Sequence, residues 1–188
     1  MNLSQLHFDT PLGEMIVIAT DSGVRLIDFS DRRDIAWAIE RVNRLAQHDQ
    51  ASDHQANDLA NIARQQVREY FAGLRTAFDL PLDPIGTDFQ NRCWQALLTI
   101  PFRQTRSYTR QAGQIGSITA VRAVAQANGQ NFCAIVIPCH RVIGHRGDLR
   151  GYGAGIERKR WLIDHEYHLV DQRTADPRQI PSTLFAGR

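Results

Sequence analysis

Between Leu80 and Gly86 the chain reads Leu-Pro-Leu-Asp-Pro-Ile-Gly, and neither a helix nor a central strand runs through it. Each proline lacks the backbone N–H that a helix or an inner ladder needs, and the residue before a proline is pushed toward extended backbone. The charge balance reverses at the same place. Residues 1–87 carry 8 Arg/Lys against 13 Asp/Glu, a net −5, whereas residues 88–170 carry 11 against 5, a net +6. The expected organisation is therefore an α/β N-terminal domain over 1–80, a linker over 81–87, a second domain over 88–170 and a loose tail over 171–188. A basic half beside an acidic one suggests a polyanion as partner, and a solvated basic face accounts for the charge equally well.

The three cysteines, Cys93, Cys133 and Cys139, are too few and too scattered for a disulfide framework. They include no close Cys pair and no complementary His spacing, so no metal is expected. No apolar run approaches the roughly 20 residues that cross a bilayer. The first residues show no basic segment followed by an apolar one. These features predict a cytoplasmic protein with no membrane association.

Met15–Ala19 and Val24–Phe29 read as strands, joined by Thr20-Asp21-Ser22-Gly23, which has hairpin chemistry. Helical spacing follows in Ile35, Ala38, Ile39, Val42 and Leu45. A polar loop is expected from Gln47 to Asn57, then a helix carrying Leu59, Ile62, Ala63, Val67 and Tyr70, with Gly73 as its stop. The second half reads as mainly α. Phe89, Cys93, Leu97 and Ile100 form a stripe that Pro101 ends. Tyr108, Gln111, Ala112 and Ile115 begin a helix closed by Gly116, and Ser117 or Thr119 can cap another over Thr119–Ala127. Two helices joined by a tight glycine turn have helix-turn-helix spacing, which all-α cores also use. Ala120, Ala123, Val124 and Ala127 form a small-residue stripe, and Thr119, Arg122 and Gln126 offer a polar face suited to nucleic acid. A last helix spans Ile156–Glu166, with Trp161, Leu162 and Ile163 as anchors.

Ile137-Pro138-Cys139-His140-Arg141-Val142 carries the densest chemistry. A free thiol titrates at about 8.5 and needs a base or a nearby cation to become a nucleophile. His140 is a base beside it, Arg141 a cation, and Glu166 a carboxylate able to hold the imidazole. A buried, inert cysteine next to a satisfied histidine is the other reading, and it describes most Cys-His pairs. The preceding proline and the glycine-rich stretch Gly144–Gly155 favour a fixed irregular turn, and hence the functional one.

The octamer Ile137–Gly144 resembles the active-site motif of the O6-alkylguanine-DNA alkyltransferases. Further segments resemble the same family in order and spacing: Thr10-Pro11-Leu12-Gly13, Arg68-Glu69-Tyr70-Phe71-Ala72-Gly73, Phe89-Gln90, Trp94-Gln95-Ala96-Leu97, Ile100-Pro101, Ser107-Tyr108, Ala120–Val124, Asn131, Gly151-Tyr152-Gly153, and Arg158-Lys159 through His165-Glu166. Together they cover roughly residues 7–170 and are similar to the bacterial single-protein form.

The resemblance implies a small antiparallel sheet in the α/β N-terminal domain and a mainly α C-terminal domain containing a helix-turn-helix. It implies direct-reversal DNA repair: irreversible transfer of the alkyl group of O6-alkylguanine, with O4-alkylthymine as a second candidate lesion, to Cys139, one event per molecule. Cys139 would accept the alkyl group, His140 deprotonate it through a water, Glu166 orient His140, Tyr108 protonate the leaving guanine, and Asn131 brace the cysteine turn. Arg122 would fill the gap left by the flipped nucleotide, with Thr119, Ala123, Gln126 and Arg141 also on the DNA. Val142, Tyr152, Gly153, Ala154 and Lys159 would line the guanine pocket. The implied partner is double-stranded DNA bearing alkylated guanine, with no cofactor and no obligate protein partner. The chain departs from the family pattern at Asp88, often proline, at Ala154, often glycine, and at Gly153, serine in some members. A methyl at 154 is expected to narrow the pocket. Two other classes fit parts of the sequence: a DNA-binding or lesion-sensing module with an incidental cysteine, and a cysteine hydrolase with multiple turnovers.

Overall fold

A computed structural model describes residues 3–46 and 53–174. Three antiparallel strands, β1 (Leu3–Thr10), β2 (Gly13–Thr20) and β3 (Gly23–Phe29), form one sheet in the order β1-β2-β3. Strand β1 lies outside the strands expected from patterning. Its residues alternate in burial against β2 in the register Leu3↔Thr20 to Thr10↔Gly13.

Met15 to Thr20 are all buried because both faces of the sheet are covered, as for any strand between two layers. Helix α1 (Ile35–Ala46) packs Ile35, Ala38 and Val42 on Ile16, Ile18 and Leu26. On the other face, α2 (Asp53–Phe71) places Leu59, Ala63, Val67 and Tyr70 against Met15 and Val17. Helix α2 starts at Asp53, so the polar loop expected to reach Asn57 is shorter, and polar composition there does not exclude helix.

The segment 80–86 is extended, yet it does not hang free. Val24 donates to the Pro81 carbonyl at 2.8 Å and Asp83 to the Val24 carbonyl at 3.0 Å, which ties it to the edge of β3. Beyond it come α3 (Asp88–Leu98), α4 (Tyr108–Gln114), α5 (Val121–Gly129) and α6 (Ile156–Thr174). Thr87 and Gln90 form a reciprocal capping box on α3. Asp88 is then the first helical residue, where proline is also favoured, so the departure from the family pattern is structurally mild.

Helix α5 begins at Val121 with Ala120 as N-cap and no side-chain cap, so neither Ser117 nor Thr119 performs the capping expected of it. Instead the Ser117 carbonyl accepts from Ala120 N–H at 2.8 Å, a backbone turn that sets the helix start two residues later. Gln111 and Asn128 exchange amide hydrogen bonds at 2.7 and 3.1 Å, and Trp94 donates to the Ala127 carbonyl at 2.9 Å; these bonds fix α5 against α4 and α3. Helix α6 runs beyond the expected Glu166 to Thr174, which absorbs the first residues of the predicted tail; the rest of that tail lies outside the described residues. Of its three expected anchors only Leu162 is buried, with Trp161 and Ile163 partly so. No helix among the described residues is long and apolar enough to cross a membrane.

Candidate active site

The chain turns sharply between α5 and the cysteine. Asn131 holds that turn from inside: its Nδ2 donates to the Ile137 carbonyl at 2.9 Å and contacts Cys139 Sγ at 3.1 Å, while its Oδ1 accepts from Cys133 N–H at 3.0 Å. Ile135 sits at φ 70°, a left-handed conformation that costs a β-branched residue about 1–3 kcal/mol. A well-packed surround has to hold it, and Ile135 is 1% exposed. Cys139, His140 and Arg141 then form a single 3-10 turn, all three buried.

His140 Nε2 lies 2.7 Å from Glu166 Oε1. Glu166 is held on every side. Arg141 Nε donates to both carboxylate oxygens at 3.1 and 3.0 Å and Nη2 to Oε1 at 2.9 Å. Tyr70 donates its hydroxyl to Oε1 at 3.0 Å, and the backbone N–H of Arg103 donates to Oε2 at 3.1 Å. Arg103 reaches that oxygen from a left-handed φ of 65°. Burial alone would raise the Glu166 pKa, but hydrogen bonds and charge from His140 and Arg141 outweigh it and hold the carboxyl at about 2. Burial lowers the His140 pKa despite Glu166, which leaves a neutral imidazole. Its Nδ1 is buried and has no hydrogen-bonding partner among the described residues. Neutral, with Nε2 committed to Glu166, His140 therefore has Nδ1 free to take a proton.

Burial pushes the Cys139 thiol up to about 11, against the Asn131 contact and the positive charges of Arg32 and Lys159, which favour the thiolate. The resting sulfur is a thiol. Arg141 was expected on DNA and as a source of positive potential for the cysteine. It is instead 7% exposed, bound to Glu166 and to the Ile100 carbonyl at 2.7 Å, because a buried carboxylate needs a guanidinium fork more than the surface does. Its positive charge serves Glu166.

On the other side of the turn, Tyr108 donates to the carbonyls of Arg150 and Gly151, each at 3.0 Å, and burial raises its pKa to about 12. Lys159 donates to the carbonyls of Val142 at 2.5 Å and Arg150 at 2.6 Å; burial lowers it to about 8. Tyr152 has a buried hydroxyl with no partner among the described residues. Gly153 lies against the guanidinium of Arg32. Ala154 is buried in the main core at 8% exposure. Thr119, Arg122, Ala123 and Gln126 are all exposed along the outer side of the turn and α5, away from the buried Val124, Ala127 and Asn128.

The fold thus gathers Cys139, His140, Glu166 and Asn131 at one centre, links Tyr108 to Lys159 through the Arg150 carbonyl, and links Lys159 to Val142 through the Val142 carbonyl. Two residues of the N-terminal half that residue chemistry did not single out join them. Tyr70 stands within a segment that resembles the family, which marks its position but not its bond to Glu166. Arg32 follows Asp28 at i+4, and an acid between the apolar Ile27 and Phe29 was the available signal.

Comparison with known proteins agrees over most of the length. Residues 88–168 match the family model of the 6-O-methylguanine DNA methyltransferase DNA-binding domain, and residues 6–84 match that of its ribonuclease-like domain. A methylated-DNA–protein-cysteine methyltransferase of Mycobacterium leprae is 41% identical over 162 residues, 86% of this chain and 91% of that protein. The constitutive one of Bacillus subtilis is 42% identical over 159 residues, 84% and 92%. The Mycobacterium tuberculosis protein of that name is 59% identical over 104 residues, a stretch that is 55% of this chain and spans 63% of the relative. The crystal structure of Mycobacterium tuberculosis OGT in complex with DNA superposes with a TM-score of 0.73 at 41% identity, covering 88% of this chain and 93% of that one. With both halves matched in order and near-complete relatives at this identity, the chain belongs to the 6-O-methylguanine DNA methyltransferase family.

Proposed function

We propose that this protein repairs DNA by moving the alkyl group of O6-alkylguanine onto Cys139, one event per molecule. The observation that carries the reading is the joint placement of the Cys139 thiol on Asn131 and of the adjoining His140 on a fully ionised Glu166. His140 Nδ1, which no protein group among the described residues occupies, takes the thiol proton through a water. Sγ forms a bond to the alkyl carbon as the bond from that carbon to O6 breaks, and the electron pair leaves with guanine. Tyr108 supplies a proton to the departing purine, and the proton held by His140 balances it. Burial raises the Tyr108 pKa to about 12, so its hydroxyl keeps its proton and is available as a donor to the developing purine anion. The product on Cys139 is a thioether, which offers water no carbonyl to attack, so the reaction stops after one turnover.

A base stacked in a duplex cannot reach a cysteine that is 5% exposed, so the nucleotide must be flipped out at a cost of a few kcal/mol. Arg122, Thr119, Ala123 and Gln126, all exposed, meet the duplex, and Arg122 fills the vacated stack. Phosphate contacts make the affinity salt-dependent and largely independent of sequence. The partner is double-stranded DNA carrying alkylated guanine, with no obligate protein partner, and the compartment is the cytoplasm.

Incubation with a duplex containing O6-methylguanine tests this. Intact-mass spectrometry should show the gain of one methylene, on the peptide that holds Cys139. An unchanged mass, or a label on Cys93 or Cys133, overturns the assignment.

A further inference from the structure

Arg32 belongs to the turn after β3, yet its guanidinium is 5% exposed and reaches into the C-terminal half. Nη1 donates to Asp28 Oδ2 at 2.6 Å and to the Asn131 carbonyl at 2.7 Å. Nη2 donates to the Gly129 carbonyl at 2.5 Å, and Nε to Asp34 Oδ1 at 2.7 Å. Its central carbon lies 4.1 Å from the centroid of the Phe132 ring. One side chain therefore grips the C-terminal end of α5, where a cation is favoured, and the residue that braces Cys139. The frame behind it is stiff, because β3 itself is bonded to this segment: Ile27 N–H donates to the Phe132 carbonyl at 2.8 Å and Ala134 N–H to the Ile27 carbonyl at 2.7 Å.

The third contact is with the pocket loop. A Cβ added at Gly153 would stand 2.6 Å from Arg32 Cζ, 2.7 Å from Nη2 and 2.9 Å from Nη1. A long side chain normally yields to such a methyl. Arg32 cannot yield without giving up bonds to two carboxylates and two carbonyls, of which those to Asp28 and to the Asn131 carbonyl are buried, and a buried charge left unpaired is costly.

Resting on the assignment of Cys139 as acceptor, we propose that Arg32 is a positioning residue for transfer: its guanidinium sets the spacing between the Asn131–Cys139 turn and the pocket loop, and residue 153 is glycine to admit it. A side chain at 153 either displaces Arg32, and with it the Asn131 turn, or displaces the loop together with Tyr152. Both misplace the reacting carbon relative to Sγ while leaving the exposed face of α5 intact.

Single-turnover transfer from an O6-methylguanine duplex at saturating DNA, with the Kd for undamaged duplex measured separately, tests the coupling. Gly153→Ala should slow transfer by about tenfold to a hundredfold with Kd unchanged. Arg32→Ala should also slow it, and Arg32→Lys should fail to restore it, since one ammonium cannot span these acceptors. In the Arg32→Ala background, Gly153→Ala should add less than about twofold, because the clash is gone. If Arg32→Ala does not fold, the same cycle runs in Asp28→Asn/Arg32→Met, which removes both charges together. An equal cost of Gly153→Ala in both backgrounds overturns the proposal, as does a loss that appears only in Kd. Failure of the unmodified protein to label Cys139 would instead overturn the assignment of the acceptor.

Discussion

Two buried carboxylates, each bound by an arginine, are linked to the cysteine turn and ionise differently. Asp28, at the end of β3, is wholly buried and takes Arg32 Nη1 and its neighbour's backbone N–H, from Phe29 at 2.8 Å. Burial raises its pKa to about 6 despite Arg32, and the Asp34 charge pushes the same way. Glu166 takes His140, three arginine contacts, the Tyr70 hydroxyl and the Arg103 N–H, and stays near 2. Arg32 shares its donors among four acceptors, whereas Arg141 spends its fork on Glu166 and one carbonyl. The difference teaches that donor count, not the presence of an arginine, decides whether a buried carboxylate holds its charge.

The largest break in that comparison is Glu166→Gln. It leaves Arg141 buried without its counter-ion and should cost about 3–5 kcal/mol, read by urea unfolding, with transfer all but lost. Stability that follows ordinary surface substitutions, within a few tenths of a kcal/mol, would show that Glu166 is not the keystone it is taken to be. Next in size is pH dependence, where the two carboxylates have opposite signs. The Glu166 pKa is lowered on folding, so its contribution is present above the unfolded value of 4.5 and is lost as pH falls toward 2. The Asp28 pKa is raised, so its contribution is present below 3.8 and is lost as pH rises through about 6. Asp28→Asn should therefore gain stability relative to the unmodified protein between pH 4 and 7 and flatten that limb of the profile; a parallel pair of curves would contradict the raised value. The smallest effect is Tyr70→Phe. Glu166 keeps its other donors, so stability should fall by about 1 kcal/mol. The Oε1 atom facing His140 loses one competing donor and becomes a better acceptor, so the imidazolium is favoured. The acid limb of the transfer pH–rate profile should move to higher pH, while a uniform loss at all pH values would make Tyr70 merely structural.

The octamer around Cys139 was legible because its parts are contiguous: a proline that fixes the approach, a thiol and a base in one turn. The two-strand hairpin followed from two apolar runs around a glycine turn, and both N-terminal helices and the helices after residue 87 followed from periodicity, since one face of each helix is buried. Strand β1 was not legible, because Ser4 stands at a buried position and leaves only Leu6 and Phe8 as apolar members of its inward face, so that pairing with β2 reveals it. Arg141 misled because a charged residue beside a cysteine reads as a surface or electrostatic feature until its partner is known. Ala154 shifted meaning in the same way: its methyl is buried in the core, and the tight wall of the pocket loop is the contact between Gly153 and Arg32.

By itself the sequence determined the break at 80–86, the order of the elements other than β1, the thiol with its adjoining imidazole, and the polar outer side of α5, since all of these rest on bonds and spacings within a few residues. Only tertiary structure decided which carboxylate stays charged, that Arg141 serves Glu166, and that Tyr70 and Arg32 from the N-terminal half complete the site. Those outcomes depend on desolvation and on donors brought together across 25 to 99 residues of chain, and no local pattern encodes how many of them will meet.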